Sequence, residues 1–183
     1  MLGLVLKDIF VIWKQLFAVV VFCMIGGISI DILFLSLSFF VCAALPTTAI
    51  AYDVNSKWNE LSAMMPFSKI DLVLSKYVLG YLFLMMVFMM LVIIGVEVTL
   101  IFPIFIGALV YLAINLPVTF KFGPEKGRLV FFFIVAIISG LFGAMGNEMN
   151  TLIEMFNNVS VFYILIIVTI LNLLSIKLAT KLI

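Results

Sequence analysis

Asp31, Glu97, Glu148 and Glu154 are the only charged residues in the long apolar stretches of this chain. A carboxyl group isolated in such surroundings can relay a proton or hold a cation, and within a membrane it is a functional residue by default. Their positions argue for a different role. Each lies near the middle of its stretch, where two membrane crossings would meet in a turn. An acid at the centre of a membrane helix costs ~2.5–3.5 kcal/mol, whereas at a turn it meets water. Glu97 is the one candidate for an intramembrane ionisable group, and a turn explains it better.

Other reactive chemistry is sparse. There is no histidine, so the commonest general base and metal ligand is missing. No G-x-x-x-x-G-K-S/T occurs, and the chain has no phosphate-cradling loop of that kind. "GPEKGR" has glycines and a lysine in the wrong order and with no strand before it. H-E-x-x-H, G-x-S-x-G and C-x-x-C are also absent. Cys23 and Cys42 both lie in apolar runs and read as buried, inert thiols, with a disulfide or redox pair as the other reading. No catalytic, cofactor-binding or metal-binding residue is expected.

The elements that must position these residues follow from solubility. Of 183 residues, 67% are hydrophobic and 10% charged, against ~25% charged in soluble domains. Mean hydropathy is +1.43. The solvent for such a surface is lipid, and residues 1–183 read as a single transmembrane domain. The apolar stretches are Gln15–Tyr52, Tyr77–Phe120 and Leu129–Ile176. Each is roughly twice the ~20 residues that one helical crossing needs, so each reads as a hairpin.

The basic residues test that reading. Lys7, Lys14, Lys57, Lys69, Lys76, Lys121, Lys126, Arg128, Lys177 and Lys181 all fall on one side if every stretch is a hairpin. They would split evenly if every stretch crossed once. Positive charge stays cytoplasmic. The expectation is an all-α integral membrane protein with six spans, about 16–30, 32–52, 77–96, 100–120, 129–146 and 158–176, and both termini inside. No cleaved signal peptide is expected, because Lys7, Asp8 and Lys14 interrupt the N-terminus. Leu2, Val5, Leu6, Ile9, Phe10 and Trp13 recur at helical spacing and predict an amphipathic helix on the inner membrane surface, ahead of a short first span. Residues 147–157 read either as a short interfacial or re-entrant helix or as a polar loop.

Three further features carry a functional reading beside a plainer one. "LMMVFMM" (Leu84–Met90) places Met85, Met86, Met89 and Met90 together, as ordinary packing or as an adaptable wall for greasy cargo. "SGLFGAMG" (Ser139–Gly146) allows close helix packing or a flexible joint. "DVNSKWNELSAMMPFSK" (Asp53–Lys69) is the most polar stretch of the chain. Within it Val54, Trp58, Leu61 and Met65 share one helical face that Pro66 ends. Such a face can rest on headgroups or dock against a protein.

Two stretches resemble the cytoplasmic loops of the ABC-2-type transporter permeases. In "YDVNSKWNELSAMMPFSKIDLVLSKY" the matching positions are Asp53, Lys57, Trp58, Pro66, Ser68, Lys69, Ser75, Lys76 and Tyr77. In "LPVTFKFGPEKGR" they are Pro117, Lys121, Phe122, Gly123, Glu125, Lys126, Gly127 and Arg128. The six-span layout agrees along the whole chain, although the turn between spans three and four is unusually short. The resemblance implies a compact permease subunit in a bacterial cytoplasmic membrane. It would pair with a second permease subunit, identical or related, and ATP and Mg would be bound by separate ABC ATP-binding subunits. Residues 53–76 would be the coupling loop, with Asp53, Lys57, Trp58, Leu61, Met65, Pro66 and Lys69 as its docking residues. The resemblance also implies export of an amphipathic or apolar cargo, with peptide toxins or antimicrobial peptides favoured and lipid export as an alternative. A stand-alone channel or secondary carrier would have to line a pore mainly with Ser36, Ser38, Asn115 and Asn172. A membrane enzyme has no nucleophile–base set to work with. Nothing points to nucleic acid.

Overall fold

A computed structural model describes residues 2–29, 32–56, 58, 68–127, 129 and 161–182. They form five long helices: α1 (Leu2–Ser29), α2 (Ile32–Asn55), α3 (Lys69–Ile94), α4 (Val98–Phe122) and α5 (Val161–Leu182). Among the described residues there is no strand. In hydrocarbon every backbone N–H and C=O must be satisfied within the segment, and only a helix does this locally. Among the described residues four segments are long and apolar enough to cross a membrane: Leu35–Asn55, Lys69–Ile94, Val98–Phe122 and Tyr163–Leu182. The predicted fifth span (129–146), the link 147–157 and the Ser139–Gly146 run lie outside the described residues, apart from Leu129. Helical structure reaches past the expected span edges, since α2 continues to Asn55 and α3 already begins at Lys69.

One expectation is corrected. The N-terminal segment is not a helix separate from the predicted first span, because α1 runs unbroken from Leu2 to Ser29. At ~1.5 Å per residue it is about 42 Å long, more than the ~30 Å of hydrocarbon. Its packing explains the continuity. Leu4, Asp8, Ile12 and Val19 form a buried stripe, and α1 packs along both α2 and α3. Leu6, Phe10 and Trp13, expected on the apolar face, remain exposed on the bundle's outside.

Pair contacts set the directions. α1 runs antiparallel to α2, with Lys7 against Asp53 and Gln15 against Thr48. α5 runs antiparallel to α3, with Ser175 against Tyr77 and Asn172 against Tyr81. The start of α1, the ends of α2, α4 and α5 and the start of α3 therefore gather at one end of the bundle, where they line a common cavity. Lys7, Lys14, Lys69, Lys76, Lys121, Lys126, Lys177 and Lys181 all lie toward this basic end. Lys57 and Arg128 are outside the described residues.

At the opposite end α3 turns into α4 within three residues. Gly95 takes φ 94°, and the N–H groups of Gly95 and Val96 donate to Val92 and Leu91 carbonyls at 3.1 Å each. This left-handed cap closes the helix, and glycine adopts it without strain. Glu97 follows as the N-cap of α4 and is exposed. It is a turn residue, as expected, and its charge favours a helix N-terminus.

The interior is tightest where α2, α3 and α4 meet. A Cβ on Gly80 would press into Leu112 Cδ1 and come within 3.1 Å of Pro46 Cγ. Pro46 lies inside α2, and beside it the Thr47 and Thr48 hydroxyls donate to the Ala44 and Leu45 carbonyls at 2.7 Å each. Phe105 of α4 meets Phe39 of α2 edge-on and Phe88 of α3, at centroid distances of 6.1 and 5.2 Å. Gly80→Ala is expected to destabilise the bundle by about 1–3 kcal/mol through overpacking. Leu112→Ala in the same chain should recover part of that loss, because the two changes share one space. Thermal unfolding of the single and double variants in detergent checks this; strictly additive losses would argue against the contact.

Candidate functional site

Asp8 stands in the middle of the buried stripe of α1, four residues from both Leu4 and Ile12, and is 1% exposed. A lone carboxylate there would be costly, and its partner comes from another helix. Lys76 of α3 donates to Asp8 Oδ2 at 2.7 Å and to Asp53 Oδ2 at 2.5 Å. Lys7 of α1 reaches Asp53 Oδ1 at 2.5 Å and Asp8 Oδ1 at 3.1 Å. Two ammonium groups and two carboxylates thus form a closed, neutral ring drawn from α1, α2 and α3. Lys76 and Asp8 are its dry side, with side chains 7% and 2% exposed. Lys7 is its wetter edge at 24%. Each charge lies within ion-pair distance of two opposite charges, which offsets part of the desolvation cost; Asp8 Oδ1, 3.1 Å from Lys7 Nζ, is buried without a hydrogen bond among the described residues.

The ring forms part of the wall of a cavity of about 540 Å³. Trp58 faces it from the first loop, and Lys7 Nζ sits 4.4 Å from the centroid of the Trp58 ring. This is a cation–π contact. Lys69 at the start of α3 and Gly123 and Pro124 after α4 complete the rim. A second, smaller hollow beside it is lined by Gln15, Tyr52, Asn55 and Glu125. The two stretches that resemble permease loops, far apart in sequence, therefore converge on one end of the bundle.

Local structure explains how each is held. Ser68 and Asp71 form a capping box at the start of α3, with the Asp71 N–H donating to Ser68 Oγ at 3.1 Å. This S-x-x-D signal is legible in the sequence. Gly123 breaks α4 with φ 81°, and residues 124–127 turn back so that Gly127 lies against Thr119. Lys121, Glu125 and Lys126 are exposed around that turn. Of the expected docking residues, Asp53 is buried in the ring, Trp58 is half-buried and Lys69 is exposed. Lys57, Leu61, Met65, Pro66 and Arg128 lie outside the described residues. Met85, Met86 and Met89 are exposed on α3 and Met90 is half-buried.

Three polar side chains named from sequence as pore-lining candidates are buried: Ser38, Asn115 and Asn172. Asn115 donates to Tyr111 at 2.9 Å, and Asn172 accepts from Tyr81 at 2.8 Å and donates to the Val168 carbonyl at 2.9 Å. Nearby, Tyr77 donates to Ser175, which donates to the Ala113 carbonyl. These bonds tie α5 to α3 and α4. Cys42 is a buried free thiol, as its apolar setting implied. Among the described residues no group of acids and cysteines gathers that could hold a metal ion.

Lys76→Met should cost about 3 kcal/mol or more, because it leaves Asp8 and Asp53 buried with one cation between them. Lys7→Met should cost less, since its site is wetter. Adding Asp8→Asn to Lys76→Met should restore much of the stability. Denaturant unfolding in micelles checks the order; equal losses for both lysines would break this account of the ring.

The model of a family described as ABC-2 family transporter protein matches residues 3–183. No curated protein and no solved structure matches the chain. The family match spans both convergent loops and every helix of the bundle, so the chain belongs to the ABC-2 transporter family and is a multi-pass transporter permease, a membrane component distinct from the ATPase.

Proposed function

We propose that this chain is the permease subunit of an ABC exporter in a bacterial cytoplasmic membrane, with six crossings and residues 2 and 182 on the cytoplasmic side. ATP-binding subunits that carry ATP and Mg dock at the basic end, and a second permease subunit completes the path. The observation that carries this reading is the convergence of the two loop stretches on the end where the described lysines gather. Positive charge favours the cytoplasmic side. The parallel directions of α4 and α5 support an odd number of crossings between them, and so a total of six. A chain acting alone as a channel fits less well, since Asn115 and Asn172 are spent on bonds within the bundle.

Trp58 is the docking anchor in this reading. It stands at the rim of the cavity, and its indole N–H has no acceptor among the described residues. Through Lys7 it touches the ion ring, so a push on the loop reaches α1, α2 and α3 together. For cargo we favour an amphipathic peptide. The exposed face of α3, with Met85 and Met89, offers a charge-free and adaptable wall once a second subunit closes against it.

Two measurements test the proposal. In a chain freed of Cys23 and Cys42, a membrane-impermeant thiol reagent applied from outside should label cysteine placed at Glu97 and leave one at Glu125 unlabelled. The reverse pattern would invert the topology. Trp58→Ala should leave the chain inserted yet weaken binding of a co-expressed ATP-binding subunit by about thirtyfold, the ~2 kcal/mol typical of a central anchor. Unchanged affinity together with unchanged ATP-driven transport would reduce Trp58 to a membrane anchor.

A further inference from the structure

A groove of about 490 Å³ runs along the outside of the bundle between α1 and α3, away from the ion ring. It is lined by Trp13, Lys14, Leu16, Phe17, Val20 and Met86. Its composition is graded along α1. Lys14 and Trp13 stand at the end nearer the basic face of the bundle, and Phe17 and Val20 continue toward the middle of the membrane. Lys14 lies about 10 Å further along α1 than Lys7. It therefore stands further from the basic end than the ion ring, and tryptophan and snorkelling lysine are the residue types that meet headgroups at a membrane interface. Trp13 and Phe17 are 67% and 71% exposed. Among the described residues no carboxylate pairs with Lys14 and none lines the groove.

We infer that this groove is a binding site for an anionic phospholipid of the same leaflet, its phosphate on Lys14 beside Trp13 and one acyl chain along Phe17, Val20 and Met86. The occupant is set by complementarity of two kinds. The Lys14 ammonium, which pairs with no carboxylate among the described residues, asks for an anion. The apolar wall that begins one turn further on asks for a chain, and in a bilayer a phospholipid joins the two in that order and orientation. The inference rests on the bundle spanning a bilayer and is independent of transport direction and of any ATP-binding partner.

The chain has two tryptophans, so Trp58→Phe leaves Trp13 as the sole reporter and keeps an aromatic ring over Lys7. This variant is reconstituted into bilayers containing lipid brominated on its acyl chains, with either a phosphatidylglycerol or a phosphatidylcholine headgroup, at equal mole fraction. Bromine quenches tryptophan fluorescence on contact. The relative affinity read from quenching should favour phosphatidylglycerol roughly fivefold, the effect of about one lysine near an anionic surface. Lys14→Gln should bring the ratio to about one, Lys14→Arg should keep it, and Lys177→Gln on α5 should leave it unchanged. Equal quenching by both headgroups in the parent chain would overturn the site. So would an equal loss for Lys177→Gln, which would mean general enrichment around a basic protein. Absence of quenching by either lipid would also overturn it and would assign the groove to a neighbouring protein segment.

Discussion

Charge buried between packed helices must be neutralised where it stands, and the ring of Lys7, Asp8, Asp53 and Lys76 does so with groups from three helices. Much else at that end depends on it. Asp8 can occupy the buried stripe of α1 only because Lys76 meets it, and α1 can then pack as one long helix against α2 and α3. Asp53 holds the end of α2 at the same level, which places the first loop beside the second. Lys7 carries the outermost charge and receives Trp58. Breaking one member strands the others, and all four meet only in the observed mutual register of α1, α2 and α3. Lipid tails are as apolar as leucine, and hydrophobicity alone would not choose that register.

The other flank is held differently. α5 meets α3 and α4 through neutral hydrogen bonds from Tyr77, Ser175, Tyr81 and Asn172. Interhelical bonds of this kind contribute roughly 0.6–2 kcal/mol each. Close approach at Gly80 supplies packing between them. The bundle thus has an ionic seam at α1 and a polar seam at α5, with aromatic packing around Phe105 between.

Much of this was legible in the sequence, and the misreading of α1 shows why some was not. The hairpin turn at Glu97 and the one-sided lysines followed from charge spacing alone. The capping box of Ser68 and Asp71 has a readable signal in its S-x-x-D spacing. For α1, apolar periodicity put Leu6, Phe10 and Trp13 on the important face and set Asp8 aside. In water the most apolar face turns inward. In lipid it can turn outward, leaving the less apolar face for the helix's neighbours, as Asp8 and Gln15 do here. Asp53 and Lys76 were marked by their family resemblance as loop residues, but their union with Lys7 and Asp8 crosses most of the first eighty residues and has no local signature. The same is true of Trp58 over Lys7. Pairing across such separations is decided by packing that sequence spacing does not encode.

The three-residue turn at Gly95–Glu97 has a mechanical corollary. Helices α3 and α4 are each about 38 Å long, yet they are fastened together at one tip. They cannot separate there, so any relative motion must hinge at that tip and grow toward the other. A tilt of about 5° at such a fulcrum moves the far tips apart by roughly 3 Å. Those far tips carry Lys69 and Gly123, the mouths of the two loops. The protein is therefore stiff on the acidic side and amplifies small angular changes on the basic side. A lever of that shape is worked most readily from its open arms.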